Sequence, residues 1–132
     1  MRRYVLTLAA ATGLVGLAAA TDAWGRDERP VPEAIPAGKA QSCISLSRIN
    51  ETRVRSDRVI DFVTNDRRVF RNTLPNACPS LGFEQRFAYA TTLGQLCSID
   101  TITVLQGPGF GRGATCGLGM FQPVMLTPRP KR

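Results

Sequence analysis

Four cysteines stand at positions 43, 78, 97 and 116, and no two are closer than 19 residues apart. This spacing constrains the chain more than any other feature. Structural zinc sites bring thiolates in close pairs, because one tight turn then offers two ligands at tetrahedral geometry. A dithiol redox site needs two cysteines separated by two residues. Neither arrangement is present. An even set of widely spaced cysteines in a small exported domain predicts two disulfides, using all of Cys43, Cys78, Cys97 and Cys116.

The N-terminus predicts that the domain is exported. Arg2 and Arg3 precede the apolar run "YVLTLAAATGLVGLAAA", and small residues in "AAATDAW" suit cleavage after Ala20 or Ala23. At 17 residues of weak hydrophobicity, the run is at the short end for a membrane span. Residues 1–23 therefore read as a signal peptide, and the mature chain as periplasmic or secreted with no transmembrane segment. The full chain has 17 basic residues, 10 acidic ones and a net charge of +7. Arg129, Lys131 and Arg132 concentrate part of that excess in a basic tail, 127–132. A folded region only mildly basic suits anionic partners without requiring one.

Between Trp24 and Gln41, "WGRDERPVPEAIPAGKAQ" is proline-rich, lacks apolar periodicity and reads as a linker. From Ser42 to Leu126 short β-prone runs alternate with turn residues: "RINETRV", "VIDFVT", "RVFRNTL", "RFAYATTL", "SIDTITVLQ" and "TCGLGMFQPVML". Such spacing predicts an all-β domain over 42–126, an antiparallel meander of about six strands. Closure into a barrel or packing as a sandwich would protect its edges. Phe87 and Tyr89 share one strand face, and Ile102 and Val104 lie opposite Thr101 and Thr103. Only "LGFEQRFAYA" admits a short helix, feeding a strand.

Histidine is absent, which removes the Ser–His–Asp triad, the Cys–His dyad and imidazole metal ligands. Neither a metal nor another cofactor is expected. Glu51, Asp57, Asp61, Asp66, Glu84 and Asp100 could supply a carboxylate pair for a hydrolase. Arginines lie near them in sequence, and aspartates at turns serve local hydrogen bonds, so no catalytic residue is assigned. "GPGFGRGATCG" satisfies a loose dinucleotide motif but opens no helix in a βαβ unit, and reads as a hairpin loop. Arg48, Arg53, Arg55, Arg58, Arg67, Arg68 and Arg71 crowd the first three runs, with Phe62 and Phe70 among them. They form a candidate polyanion face. In so thin a core, the two phenylalanines are expected to be buried filling, not stacking platforms.

The segments "CISLSRINETRV", "LPNACPSL", "QLCSIDTITVL" and "CGLGMF" together resemble a family of short exported proteins of Gram-negative bacteria known only as a domain of unknown function. The resemblance runs from about Cys43 to Val124, and its motifs are a cysteine frame with few catalytic-looking residues. The Pro-rich lead and the Gly-rich loop depart from the pattern. What it implies is the compartment and the cysteine frame; it implies no activity.

The expected function is an exported, non-catalytic binding or envelope-associated module with an unknown partner, such as an anionic envelope component; no DNA binding is expected. The rivals are a carboxylate-dependent hydrolase and a binder of nucleic acid or another polyanion through the arginines. For the cysteines, a closing meander predicts Cys78–Cys97 and Cys43–Cys116. Cys78 and Cys97 would flank one out-and-back strand; Cys43 precedes the first strand and Cys116 begins the last, and those two strands become neighbours if the meander closes. Export carries its own test: intact-mass measurement on protein from the native host should find a chain beginning at Thr21 or Trp24. The full 132-residue mass in the membrane fraction would refute it.

Overall fold

A computed structural model describes residues 30–91, 93–109 and 111–128. The signal-like segment 1–23 and residues 129–132 of the basic tail lie outside them. In chain order the elements are β1 (Ala34–Pro36), β2 (Cys43–Ser45), a 3-10 turn (Leu46–Arg48), β3 (Ile49–Val54), β4 (Val59–Thr64) and β5 (Val69–Thr73). Then come α1 (Leu81–Glu84), β6 (Phe87–Tyr89), β7 (Gln95–Cys97), β8 (Thr101–Gln106), β9 (Gly111–Gly117) and β10 (Phe121–Leu126). The domain is all-β, and every strand pairing is antiparallel.

The strands form a five-stranded sheet in the order β1-β10-β5-β4-β3, a three-stranded sheet β6-β8-β9, and a ribbon β2-β7. The edges β1 and β3 do not meet, so the large sheet is one layer of a sandwich and not a closed barrel. Phe62 of β4 joins the layers. Its ring packs edge-on against Phe87 of β6 at 6.3 Å and against Phe121 of β10 at 5.4 Å. Around it lie Ile44, Ile60, Phe70, Leu74, Leu81, Leu96, Ile102, Val104 and Leu118.

The two-residue strand period explains which side chains point inward. On β4, Ile60, Phe62 and Thr64 face the core. On β8, Ile102 and Val104 are buried, while the Thr103 hydroxyl meets that of Thr115 at 3.1 Å across the ladder. The β4–β5 turn is the three-residue loop Asn65-Asp66-Arg67. Thr64 N donates to Arg68 O at 2.9 Å, and Arg67 takes the left-handed conformation with φ of 63°. Where the chain passes from β9 to β10, the side chain of buried Asn72 clasps the Gly119 backbone. Its Nδ2 donates to Gly119 O at 2.7 Å and its Oδ1 accepts from Gly119 N at 2.8 Å. A Cβ at residue 119 would collide with the Thr73 carbonyl oxygen, so the close approach requires glycine.

Several expectations change. There are ten strands where about six were expected, because β1, β2 and β7 are three-residue segments too short to carry a periodic signal. The sheet begins before Ser42: Ala34–Pro36, inside the Pro-rich lead, pairs with β10 as an edge strand. The run "TCGLGMFQPVML" divides at Leu118–Met120 into the end of β9 and all of β10. The short helix expected near Leu81 is present, ahead of β6.

The cysteine pairing is also corrected. The disulfides are Cys43–Cys97 and Cys78–Cys116, not Cys78–Cys97 and Cys43–Cys116. The meander does not close, because β10 docks between β1 and β5 and not beside β3, the strand formed by the first predicted run, "RINETRV". Cys43 instead lies directly opposite Cys97 in the β2–β7 ribbon, leaving buried Cys78 to meet Cys116 of β9. The bridged cysteines are 54 and 38 residues apart. Chain-entropy reasoning assigns each bridge about 4 kcal/mol as an upper estimate. Reductant should therefore unfold the domain, with loss of dispersed amide NMR signals, while chelator should have no effect. Non-reducing peptide maps should show the two observed pairs; retention of the fold in excess reductant would contradict the assigned importance.

Candidate functional site

The seven sequence-selected arginines start in one strip of sequence but do not converge on one face. The central group is an ion cluster on the side of the large sheet away from Phe62. Strand register aligns Arg53, Asp61, Arg71 and Gln122 across β3, β4, β5 and β10. Asp61 is fully buried. Its Oδ2 accepts from Arg55 Nε at 2.8 Å, and Arg71 grips both oxygens, Nε to Oδ1 at 2.8 Å and Nη2 to Oδ2 at 3.0 Å. Arg71 Nη1 also donates to the carbonyl of Pro32 at 2.8 Å, fastening the Pro-rich lead across the sheet. Arg55 and Arg71 are only 20% and 14% exposed, so both act as structural counter-ions and are largely withdrawn from an external anion.

The other arginines divide by local partner. Arg53 makes a two-pronged pair with Glu51 at 2.8 and 2.9 Å. That hydrogen bond holds the Glu51 carboxyl below its ordinary value and raises the Arg53 guanidinium, so the pair is ionised throughout the neutral range. Arg58 donates to the carbonyls of Leu74 and Pro75, pinning the loop after β5. Arg48 and Arg68 flank Asp66 at 3.3 and 4.0 Å. Asp66 is held below the ordinary aspartate range, chiefly by the Thr64 hydroxyl and then by its backbone and these arginines. Arg68 also lies over the Phe70 ring, 5.8 Å from its centroid. Phe62 and Phe70 are buried, as filling of the core requires. Arg67, exposed in the β4–β5 turn, is a cation with no side-chain partner in the described residues; Arg112 of β9, which the sequence reading passed over, is another.

The remaining carboxylates have backbone duties. Asp57 Oδ1 accepts from Gly82 N at 2.7 Å, tying the β3–β4 turn to α1. Asp100 Oδ2 accepts from Cys97 N at 2.7 Å in the β7–β8 turn. Glu84 accepts from Gly107 N at 3.4 Å and lies 3.5 Å from Arg86. Among the described residues, no three cysteine or carboxylate groups cluster as metal ligands, and no helix is long and apolar enough to cross a membrane.

No protein-family model, curated protein or solved structure matches this chain significantly.

The cluster yields a contrast. Asp61→Asn should cost about 3 kcal/mol, because it leaves two arginines without their buried counter-charge. Arg53→Ala should barely move the urea midpoint, since its pair is exposed. Equal effects of the two substitutions on equilibrium unfolding would refute this division.

Proposed function

We propose that this chain is an exported, disulfide-stapled binding module of the cell envelope that performs no catalysis and meets its partner through surface contact. The observation that carries the reading is the engagement of its candidate catalytic groups. Asp61 is enclosed by Arg55 and Arg71, Glu51 is paired with Arg53, and Asp57 and Asp100 cap backbone N–H groups. A glycosidase pair needs one carboxyl kept protonated and another free to act on the opposite side of the scissile bond. These carboxylates are instead engaged by arginines or by backbone N–H groups.

Export is supported by the signal-like N-terminus and by two disulfides, which persist in oxidising compartments. An anionic envelope component is the partner class that suits the net charge of +7. With Arg55 and Arg71 withdrawn into the Asp61 cluster, the cations left for such a partner are scattered. Attraction should be weak and salt-sensitive.

Titration of the purified, oxidised protein with anionic envelope polysaccharide and with single-stranded oligonucleotides tests this. Binding should weaken as salt rises and should not depend on oligonucleotide length. Tight, length-dependent affinity for oligonucleotides at physiological salt would replace the reading with a nucleic-acid binder. Hydrolysis of the polysaccharide by the pure protein would overturn the absence of catalysis.

A further inference from the structure

β3 is an open edge of the large sheet, paired with β4 on one side only. Arg55 N donates to Val59 O at 2.8 Å. Counting back in twos along an antiparallel ladder, Arg53 and Glu51 also turn their peptide groups toward β4, while Thr52 and Val54 turn theirs outward. Those outward groups have no partner among the described residues. Such a row is a template for another strand. The other edges offer less. β1 has three residues and ends in Pro36, β2, β6 and β7 also have three each, and β9 carries Gly111, Gly113 and Gly117 with one charge to define a register.

Charge identifies the occupant. Glu51 and Arg53 lie two residues apart on the same face, with side chains 47% and 44% exposed. They border an open groove of about 580 Å³ that runs along β3, with Pro30, Pro32 and Gln85 on its other walls. If two copies of β3 run antiparallel about a twofold axis, outward peptide groups must meet outward peptide groups, so the axis passes through a residue. An axis at Glu51 sets two carboxylates opposite one another, and an axis at Arg53 sets two guanidiniums opposite one another. An axis at Thr52 places Glu51 of each copy opposite Arg53 of the other, with no like charges opposed. The outward N–H and C=O of Thr52 then bond their own symmetry mates.

We propose that two copies of this chain associate edge to edge through β3, antiparallel about Thr52, merging their five-stranded sheets. The irregularity between Ile49 and Glu51 bounds the contact, so the dimer is weak and concentration-dependent.

Sedimentation of the purified, oxidised protein up to about 1 mM should show a reversible monomer–dimer equilibrium. Glu51→Arg alone and Arg53→Glu alone each oppose like charges twice and should weaken association about tenfold. A mixture of these two variants again opposes unlike charges at both positions and should dimerise as the native chain does. The double reversal Glu51→Arg/Arg53→Glu keeps both the intrachain pair and the register, and should dimerise even if a single reversal impairs folding. A native chain that stays monomeric at about 1 mM overturns the proposal. So do single variants that associate normally, or a mixture or double reversal that fails to restore the dimer.

Discussion

A carboxylate buried in the middle of a central strand cannot remain ionised without close counter-charge, and that requirement organises the large sheet. Asp61 lies on β4, with β3 and β5 on either side. Arg55 reaches it from beyond the end of β3 and Arg71 from β5, so the carboxylate links three successive segments of the chain. Arg71 then extends the network to Pro32, holding the lead that becomes β1. Burying this cluster carries a desolvation cost that hydrophobic residues of similar volume would avoid. Its contribution is geometric: β4 must face Phe62 to the core and Asp61 to the arginines, since a one-residue slip would exchange the two.

On the opposite face, the core is small and assembled from both layers. Phe62, Phe87 and Phe121 come from three strands distant in sequence; Phe62 meets Phe121 within the large sheet and Phe87 across to the three-stranded sheet, edge-on in both cases. One disulfide is part of this core, since Cys78 is fully buried in it and Cys116 packs against it; the other lies in the β2–β7 ribbon. Cys43–Cys97 closes the β2–β7 ribbon, which is otherwise only three residues long on each side. Cys78–Cys116 ties the loop before α1 to β9. Short isolated strand pairs are marginal in water, so the covalent link compensates for hydrogen bonds that are few in number.

The strand runs at 49–54, 59–64, 69–73 and 101–106 were legible because alternating apolar residues and turn residues bound them. Phe62 and Phe70 were legible as core for the same reason. The three-residue strands were not, since a period of two cannot be recognised over so short a span. The arginine strip was visible as composition but not as chemistry. Nothing local distinguishes Arg71, which holds a buried carboxylate, from Arg67, which stands in a turn with φ of 63°. The Gly119 clasp was equally hidden, because its partner Asn72 is 47 residues away.

The sequence by itself determined the class of fold, the disulfide chemistry and the lack of histidine-based catalysis. These follow from residue types and short-range periodicity, which do not depend on how the strands are later arranged. Tertiary structure alone decided the pairing of the cysteines, because bridges require Cα atoms within several ångströms, and proximity depends on strand order. It likewise decided that β10 inserts between β1 and β5, and that Asp61 consumes two of the candidate arginines. Charge and cysteine positions are one-dimensional, whereas a counter-ion or a disulfide partner is whatever the completed sheet brings into contact.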